Sequence, residues 1–256
     1  MENSPIRVEH LDDEACWRVT LGGSKGNILD AALVDALTHV FREAAGVQTL
    51  RAICLEGAGA HFSFGASVQE HLPDHVAAML LRFGKLITTL LDSNVIVLAA
   101  VRGQCLGGGL EVATACHRVF ASRDAKFGQP EIALGVFAPI ASVVLAERVG
   151  RGAADDLLLS GRSIDAEAAF RVGLVDELSD DPTAAALAYA RQHLLPKSAS
   201  SLRFAVRAAR TGMRARLHAE LPAIERMYLA DLMQTHDGVE GLRAFLDKRP
   251  PQWRHA

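Results

Sequence analysis

The period of the hydrophobic pattern changes several times along the chain, and the changes mark its elements. Val95 to Val101 is an unbroken apolar run, which predicts a strand buried on both faces. Arg51 to Glu56 and Arg118 to Ser122 predict two more strands. Val8-Glu9-His10 and Trp17 to Leu21 alternate, predicting a hairpin with Asp12-Asp13-Glu14 at its turn. Leu33, Leu37, Val40 and Phe41 repeat at helical spacing behind Asp30, predicting a capped helix to about Ala45. A second amphipathic helix is predicted from Asp74 to about Leu91. Strand and helix alternate, which argues for an α/β fold with parallel pairing and right-handed crossovers.

The pattern shifts near residue 180. Before it, a short helix is predicted at Ala154–Leu159, another behind Asp165 that stops at Gly173, and a strand at Gly173–Glu177. After it the chain reads as helices over roughly 182–195, 198–211, 215–233 and 237–247. The division is therefore 1–180 for an α/β core and 181–256 for a helical region. An apolar stripe there (Leu221, Ile224, Met227, Tyr228, Leu232) is expected to pack on a neighbouring copy.

Composition narrows the class. The chain has 256 residues, half of them hydrophobic, and a net charge of −3. With no basic stripe, nucleic-acid binding has no support, which leaves an RNA-binding or scaffold role as the weaker alternative. The apolar runs fall far short of the ~18 residues of a membrane span, and Met1–His10 has no apolar leader, so a cytoplasmic protein is expected. The four cysteines are scattered without a C-x-x-C pair and are expected to be buried thiols.

Candidate chemistry concentrates in Val95–Glu131. The apolar strand runs into a glycine-rich turn, Gly103 to Gly109, and then a helix. Glycines ahead of a helix allow close backbone approach, with free N–H groups aimed at a ligand. Glu111 lies two residues past the last glycine, and Glu131 follows Gln129-Pro130. The stretch thus offers donors for a developing oxyanion and two acids for proton transfer. Taken singly, each feature has a plainer reading: a glutamate near a helix start is usually a dipole partner. Other patterns carry less. Gly22-Gly23-Ser24-Lys25-Gly26 matches a nucleophile elbow only formally, because Asn27-Ile28-Leu29 reads as further loop. There is no G-x-G-x-x-G and no H-E-x-x-H, so neither a nicotinamide cofactor nor a metal site is expected. His61, His71 and His75 are expected in surface or supporting roles.

Gly103-Gln104-Cys105-Leu106-Gly107-Gly108-Gly109-Leu110-Glu111, followed by Phe127-Gly128-Gln129-Pro130-Glu131, resembles the enoyl-CoA hydratase/isomerase (crotonase) family. The resemblance extends over nearly the whole chain, to Gly241–Pro250. It implies a crotonase-like spiral of ββα repeats with a helical C-terminal trimerisation region. It implies an acyl-CoA substrate, no cofactor beyond that coenzyme A, and self-association to a trimer or hexamer. In the family's terms Glu111 and Glu131 are the two catalytic acids, with Glu111 activating water and Glu131 donating a proton. Gly108 and Ala66 supply the oxyanion-hole N–H groups, Ala66 from Phe62–Ser67, where Ser67 stands in place of the family's Asp. Lys25, Ser63, Ser67, Phe245 and Lys248 are the expected coenzyme or substrate contacts, with Phe245 and Lys248 reaching a neighbouring subunit's coenzyme. Val136 and Phe137 are expected to shape the acyl pocket; a plain helix start explains their segment equally well.

Both glutamates together favour hydration. Phe62–Pro73 with Glu131–Pro139 resembles the branch of the family that adds water 1,4 across cyclohexa-1,5-diene-1-carbonyl-CoA during anaerobic benzoyl-CoA breakdown. A general short-chain 2-enoyl-CoA hydratase is the alternative.

Overall fold

The computed structural model describes residues 4–256; Met1–Asn3, the start of the polar N-terminal stretch, lie outside it. The predicted hairpin forms from β1 (Ile6–Leu11) and β2 (Cys16–Leu21). Helix α1 (Ala31–Gly46) follows, with the Asp30 carboxylate accepting from the Leu33 N–H at 2.9 Å as its cap. Then come β3 (Ala52–Gly57), α2 (Val76–Asp92) and β4 (Ile96–Val101). Next are β5 (Gln104–Leu106), α3 (Gly108–Ala115), β6 (Arg118–Ala121) and β7 (Lys126–Gly128). A 3-10 turn at Pro130–Leu134 leads to α4 (Pro139–Val149) and α5 (Arg151–Ser160). Beyond them lie β8 (Ser163–Asp165), α6 (Ala166–Arg171), the two-residue β9 (Glu177–Leu178) and α7 (Pro182–Tyr189). Helices α8 (Ala199–Arg226) and α9 (His236–Leu246) end the chain.

The main sheet runs β1-β2-β3-β4-β6-β9, antiparallel only at its first pair. The continuous apolar run of β4 is explained by cover on both faces. Val97, Ala99 and Val101 join the large core with α1 and α2; Ile96, Leu98 and Ala100 join a smaller one under α7. The first helix of the C-terminal region thus completes the sheet's second face. All four cysteines are free and buried.

Three sequence expectations are corrected. Gly103–Gly109 is not all turn: Gln104–Leu106 forms β5, which heads a small sheet β5-β7-β8. The break expected near residue 212 is absent, and α8 runs 28 residues through Gly212 and Pro222. A single glycine costs a helix only ~1 kcal/mol, less than the burial of Val206, Leu217 and Leu221 returns. The apolar stripe of this helix and the turns that follow it faces inward on the chain's own core, where Leu221 and Tyr228 are buried and Ile224 and Leu232 partly so; only Met227 of the stripe is exposed. It packs this way because α8 folds back across α2 and α4.

Candidate active site

The small sheet brings the chemistry together. Parallel pairing sets Leu106 beside Gly128. The chain leaving β5 for α3 and the chain leaving β7 for the 3-10 turn therefore emerge side by side, tied by the Gly107 N–H donating to Gly128 O at 2.9 Å. A bridge between Ser63 and Cys105 sets the Phe62–Ser67 loop along the other edge of β5.

Each glycine of the triplet makes room for one neighbour. A Cβ on Gly107 would stand 2.6 Å from Glu131 Oε1, one on Gly108 3.1 Å from the Phe83 ring, and one on Gly109 2.7 Å from the Ser63 Cβ. Gly107 also has φ +51°, where side chains are strained. Gly108 opens α3, so the helix leaves its N–H unpaired. The Ala66 nitrogen lies 3.3 Å from where a Gly108 Cβ would be, and its N–H has no acceptor among the described residues. Two N–H groups without acceptors thus lie close together, the kind of pair an oxyanion site draws on.

The loop that presents Ala66 is held from below. Asn27, buried, donates through Nδ2 to the carbonyls of Ala58, His61 and Phe62 at 3.0, 2.8 and 3.1 Å. Ser63 Oγ donates to Asn27 O at 2.7 Å and accepts from the Gly65 N–H at 3.0 Å. Gly65, at φ +97°, has no room for a side chain against Leu106 O. Ser63 is buried and its hydroxyl is taken up by these two bonds, so it shapes the turn from behind. Ser67 starts the next 3-10 turn, and its carbonyl binds His71 Nδ1 at 2.8 Å. His61 Nδ1 accepts from the Gln104 N–H at 3.2 Å, a supporting role like that of His71.

Glu111 and Glu131 sit in one electrostatic unit. Glu111 is buried, and its Oε1 accepts from the Ala141 N–H at 2.8 Å. Ala141 and Ile140 belong to the first turn of α4, which starts at Pro139 and has no side-chain cap of its own. Glu111 thus serves as the anion at that helix N-terminus. Burial pushes its carboxyl above the usual carboxylate range, and the N–H groups of Ala141 and Ile140 pull it back down. Glu131 is raised as well, first by burial and then by repulsion from Glu111. In the amide orientation that satisfies both ends, Gln129 donates to Glu131 Oε2 and Oε1 at 3.1 and 3.2 Å and to Gly107 O at 3.3 Å. The two carboxyls share environment and charge, so they titrate as a pair. The extra N–H donors at Glu111 make it the better seat for the negative charge and leave the proton on Glu131.

Val136, buried, closes the Glu131 turn with its N–H on Glu131 O at 3.2 Å. Phe137 meets the Tyr228 ring edge-on, with centroids 5.1 Å apart. Lys25, Phe245 and Lys248 are exposed, the last two at the C-terminal end of α9. The fold therefore gathers Glu111, Glu131, Ala66, Gly108, Val136 and Phe137, places Ser63 behind the site and leaves Lys25, Phe245 and Lys248 on the surface. Three participants escaped the sequence reading. Gln129 and Asn27 are polar residues whose burial only the fold reveals. Tyr228 was one member of an apolar stripe. The Ile140 and Ala141 N–H groups had a signal, since Pro139 is a typical first residue of a helix.

Known proteins share this arrangement of chain. The profile of the enoyl-CoA hydratase/isomerase family matches residues 13–256. Cyclohexa-1,5-dienecarbonyl-CoA hydratase of Thauera aromatica is 52% identical over 253 residues, covering 99% of this chain and 98% of that one. The 2,3-dehydroadipyl-CoA hydratase of Escherichia coli K12 is 35% identical, over 89% of this chain and 90% of its own. An enoyl-CoA hydratase crystal structure from Mycobacterium avium subsp. paratuberculosis K-10 superimposes with a TM-score of 0.84 at 26% identity, over 97% and 98% of the two chains.

Proposed function

Because the chain belongs to the enoyl-CoA hydratase/isomerase family, we propose that it is a hydro-lyase that converts cyclohexa-1,5-diene-1-carbonyl-CoA to 6-hydroxycyclohex-1-ene-1-carbonyl-CoA. The observation that carries the reading is the meeting of two glutamates, both raised by burial and Glu131 further by the charge of Glu111, beside two unpaired main-chain N–H groups. The ring substrate is suggested by the Thauera relative and suits the aromatic wall of Phe137 and Tyr228.

The thioester oxygen lies between the N–H groups of Ala66 and Gly108. Ionised Glu111 takes a proton from water as the water oxygen bonds to the ring carbon β to the thioester carbonyl. The electron pair of that double bond moves toward the thioester oxygen, where the two N–H donors meet the growing charge. The anion is spread along the ring, because the second double bond is conjugated with the first. Glu131 delivers its proton to the far end of that system, and the remaining double bond settles between the thioester-bearing carbon and its other ring neighbour. One O–H bond of water and the acid's O–H bond break; one C–O and one C–H bond form. The two glutamates end with their proton exchanged. The thioester acidifies the system and backbone donors polarise it, so the chemistry asks for no metal or redox group.

Around the site, Lys25 and Ser67 are read as coenzyme contacts. Phe245 and Lys248 are read as reaching the coenzyme of a neighbouring subunit in a trimer or a pair of trimers. The activity is tested by assaying purified protein on the ring diene and on crotonyl-CoA. The expected result is a kcat/KM for the ring at least about a hundredfold higher. Equal or better turnover of crotonyl-CoA would make the protein a general short-chain hydratase instead.

A further inference from the structure

Among the described residues, Tyr228 is the one large polar side chain buried against this site whose polar atom meets nothing. It is fully buried, and its hydroxyl has no hydrogen-bond partner among the described residues. A buried hydroxyl left unpaired is costly, and native proteins seldom keep one without a use. Its ring is fixed edge-on against Phe137, six residues past Glu131. The backbone is also unusual there: α8 widens into a π-helical turn over Met227–Asp231, which leaves Met227 outside and carries Tyr228 fully inside. Such turns are rare and recur at functional sites. Burial raises the phenol's pKa, and the charges of Glu131 and Glu111 raise it further. The group therefore stays protonated and keeps its proton to donate toward that side.

Its acceptor can be found by elimination. The thioester oxygen is served by the N–H groups of Ala66 and Gly108. The remainder of a ring diene is hydrocarbon. The one polar atom that reaches the acyl end during the reaction is the oxygen that arrives as water and remains as the ring hydroxyl. We propose, resting on the hydratase reading above, that Tyr228 is a substrate-contacting residue whose phenol O–H donates a hydrogen bond to this oxygen in the transition state and in the hydroxylated product. Tyr228 moves no proton; it holds the oxygen in line between Glu111 and the carbon under attack.

The proposal divides the kinetic constants in a way that packing alone does not. In Tyr228→Phe the diene, which has no such oxygen, binds as before, so KM for hydration is unchanged while kcat falls about tenfold. In the reverse direction the hydroxylated thioester loses a ground-state contact, so its KM rises about tenfold while kcat is unchanged. Both ratios fall together, as the fixed equilibrium constant demands. The melting temperature should hold or rise, because the hydroxyl removed has no partner in the free protein. Full hydration kcat in the variant, a changed KM for the diene with unchanged kcat, or a markedly lower melting temperature would each overturn the assignment. If the wild-type protein hydrates neither the ring diene nor crotonyl-CoA, the hydratase reading itself falls. If it hydrates either and Tyr228→Phe matches it, only Tyr228 is struck out.

Discussion

Glu111 and Glu131 differ less in their chemistry than in what holds them. Glu111 rests on the N-terminus of α4; Glu131 has one carboxamide and a like charge for company. A buried glutamate elsewhere in the chain shows the contrast. Glu56 is 4% exposed, and its oxygens take Arg18 Nε at 2.8 Å, Thr20 Oγ1 at 3.0 Å and Thr183 Oγ1 at 2.6 Å. It is saturated and structural. Glu131, lacking a cation, keeps its proton and can give it away. Replacing either member of the pair by Gln preserves shape and removes the acid. Glu111→Gln and Glu131→Gln should each lower kcat by two or more orders of magnitude with little change in acyl-CoA binding. Steady-state rates and calorimetric binding of an unreactive saturated acyl-CoA would check this. A variant that retains most of its rate would remove that residue from the proton-transfer scheme.

At the scale of elements, the site depends on β5 and β7, three residues each. Their register decides whether the turn into α3 faces the turn carrying Glu131. The contact is close enough that Gly107 tolerates no side chain: a Cβ there would press on Glu131 Oε1, and the backbone lies at φ +51°. Gly107→Ala should therefore displace the carboxylate and strain the entry to α3 together. The expected outcome is a loss of about a hundredfold or more in kcat, in line with a misplaced catalytic group, with destabilisation of about 1–2 kcal/mol. Turnover and denaturant melts of the one variant measure both. Gly152, by contrast, has open space around it; Gly152→Ala serves as the control and should leave kcat unchanged.

Across the whole molecule, the site is a source of instability that depends on pH. Both glutamates have folded pKa values above the ordinary carboxylate range. Folding therefore favours their protonated forms. This contribution is complete below the unfolded pKa of about 4.3 and is lost as pH rises through the folded values. His117 works the other way. Buried first, then repelled by Arg210, it is held neutral down to about 3, so folding loses stability as pH drops below the ordinary histidine range. A difference between two proteins isolates the glutamates. Glu131→Gln should melt higher than the wild type at pH 8 and close to it at pH 4. Equal shifts at the two pH values would show that Glu131 carries no raised pKa. The same pair predicts a hydration rate that falls on the alkaline side once both carboxyls ionise, and on the acid side once both are protonated.

The linear chain by itself determined the strands and helices whose patterns are long and regular, such as β4 with its unbroken apolar run and α1 behind Asp30. It also carried the local geometry at Gly107–Gly109, because glycines before a helix expose N–H groups wherever the helix is later placed. It marked Glu111 and Glu131 as candidates through their neighbours in sequence. It could not separate them physically from Glu56, since charge state follows from the partners that burial supplies, and those partners lie far away along the chain. Gln129, Asn27 and Tyr228 stayed hidden for the same reason: a polar side chain acquires meaning only when solvent is removed from one side of it. The short strands β5 and β7, too brief to leave a periodic signal, were settled by pairing with each other. Tertiary structure alone decided that the charge of Glu111 bears on a carboxyl twenty residues away in Glu131, because that repulsion depends on distance and dielectric, and neither is a property of sequence order.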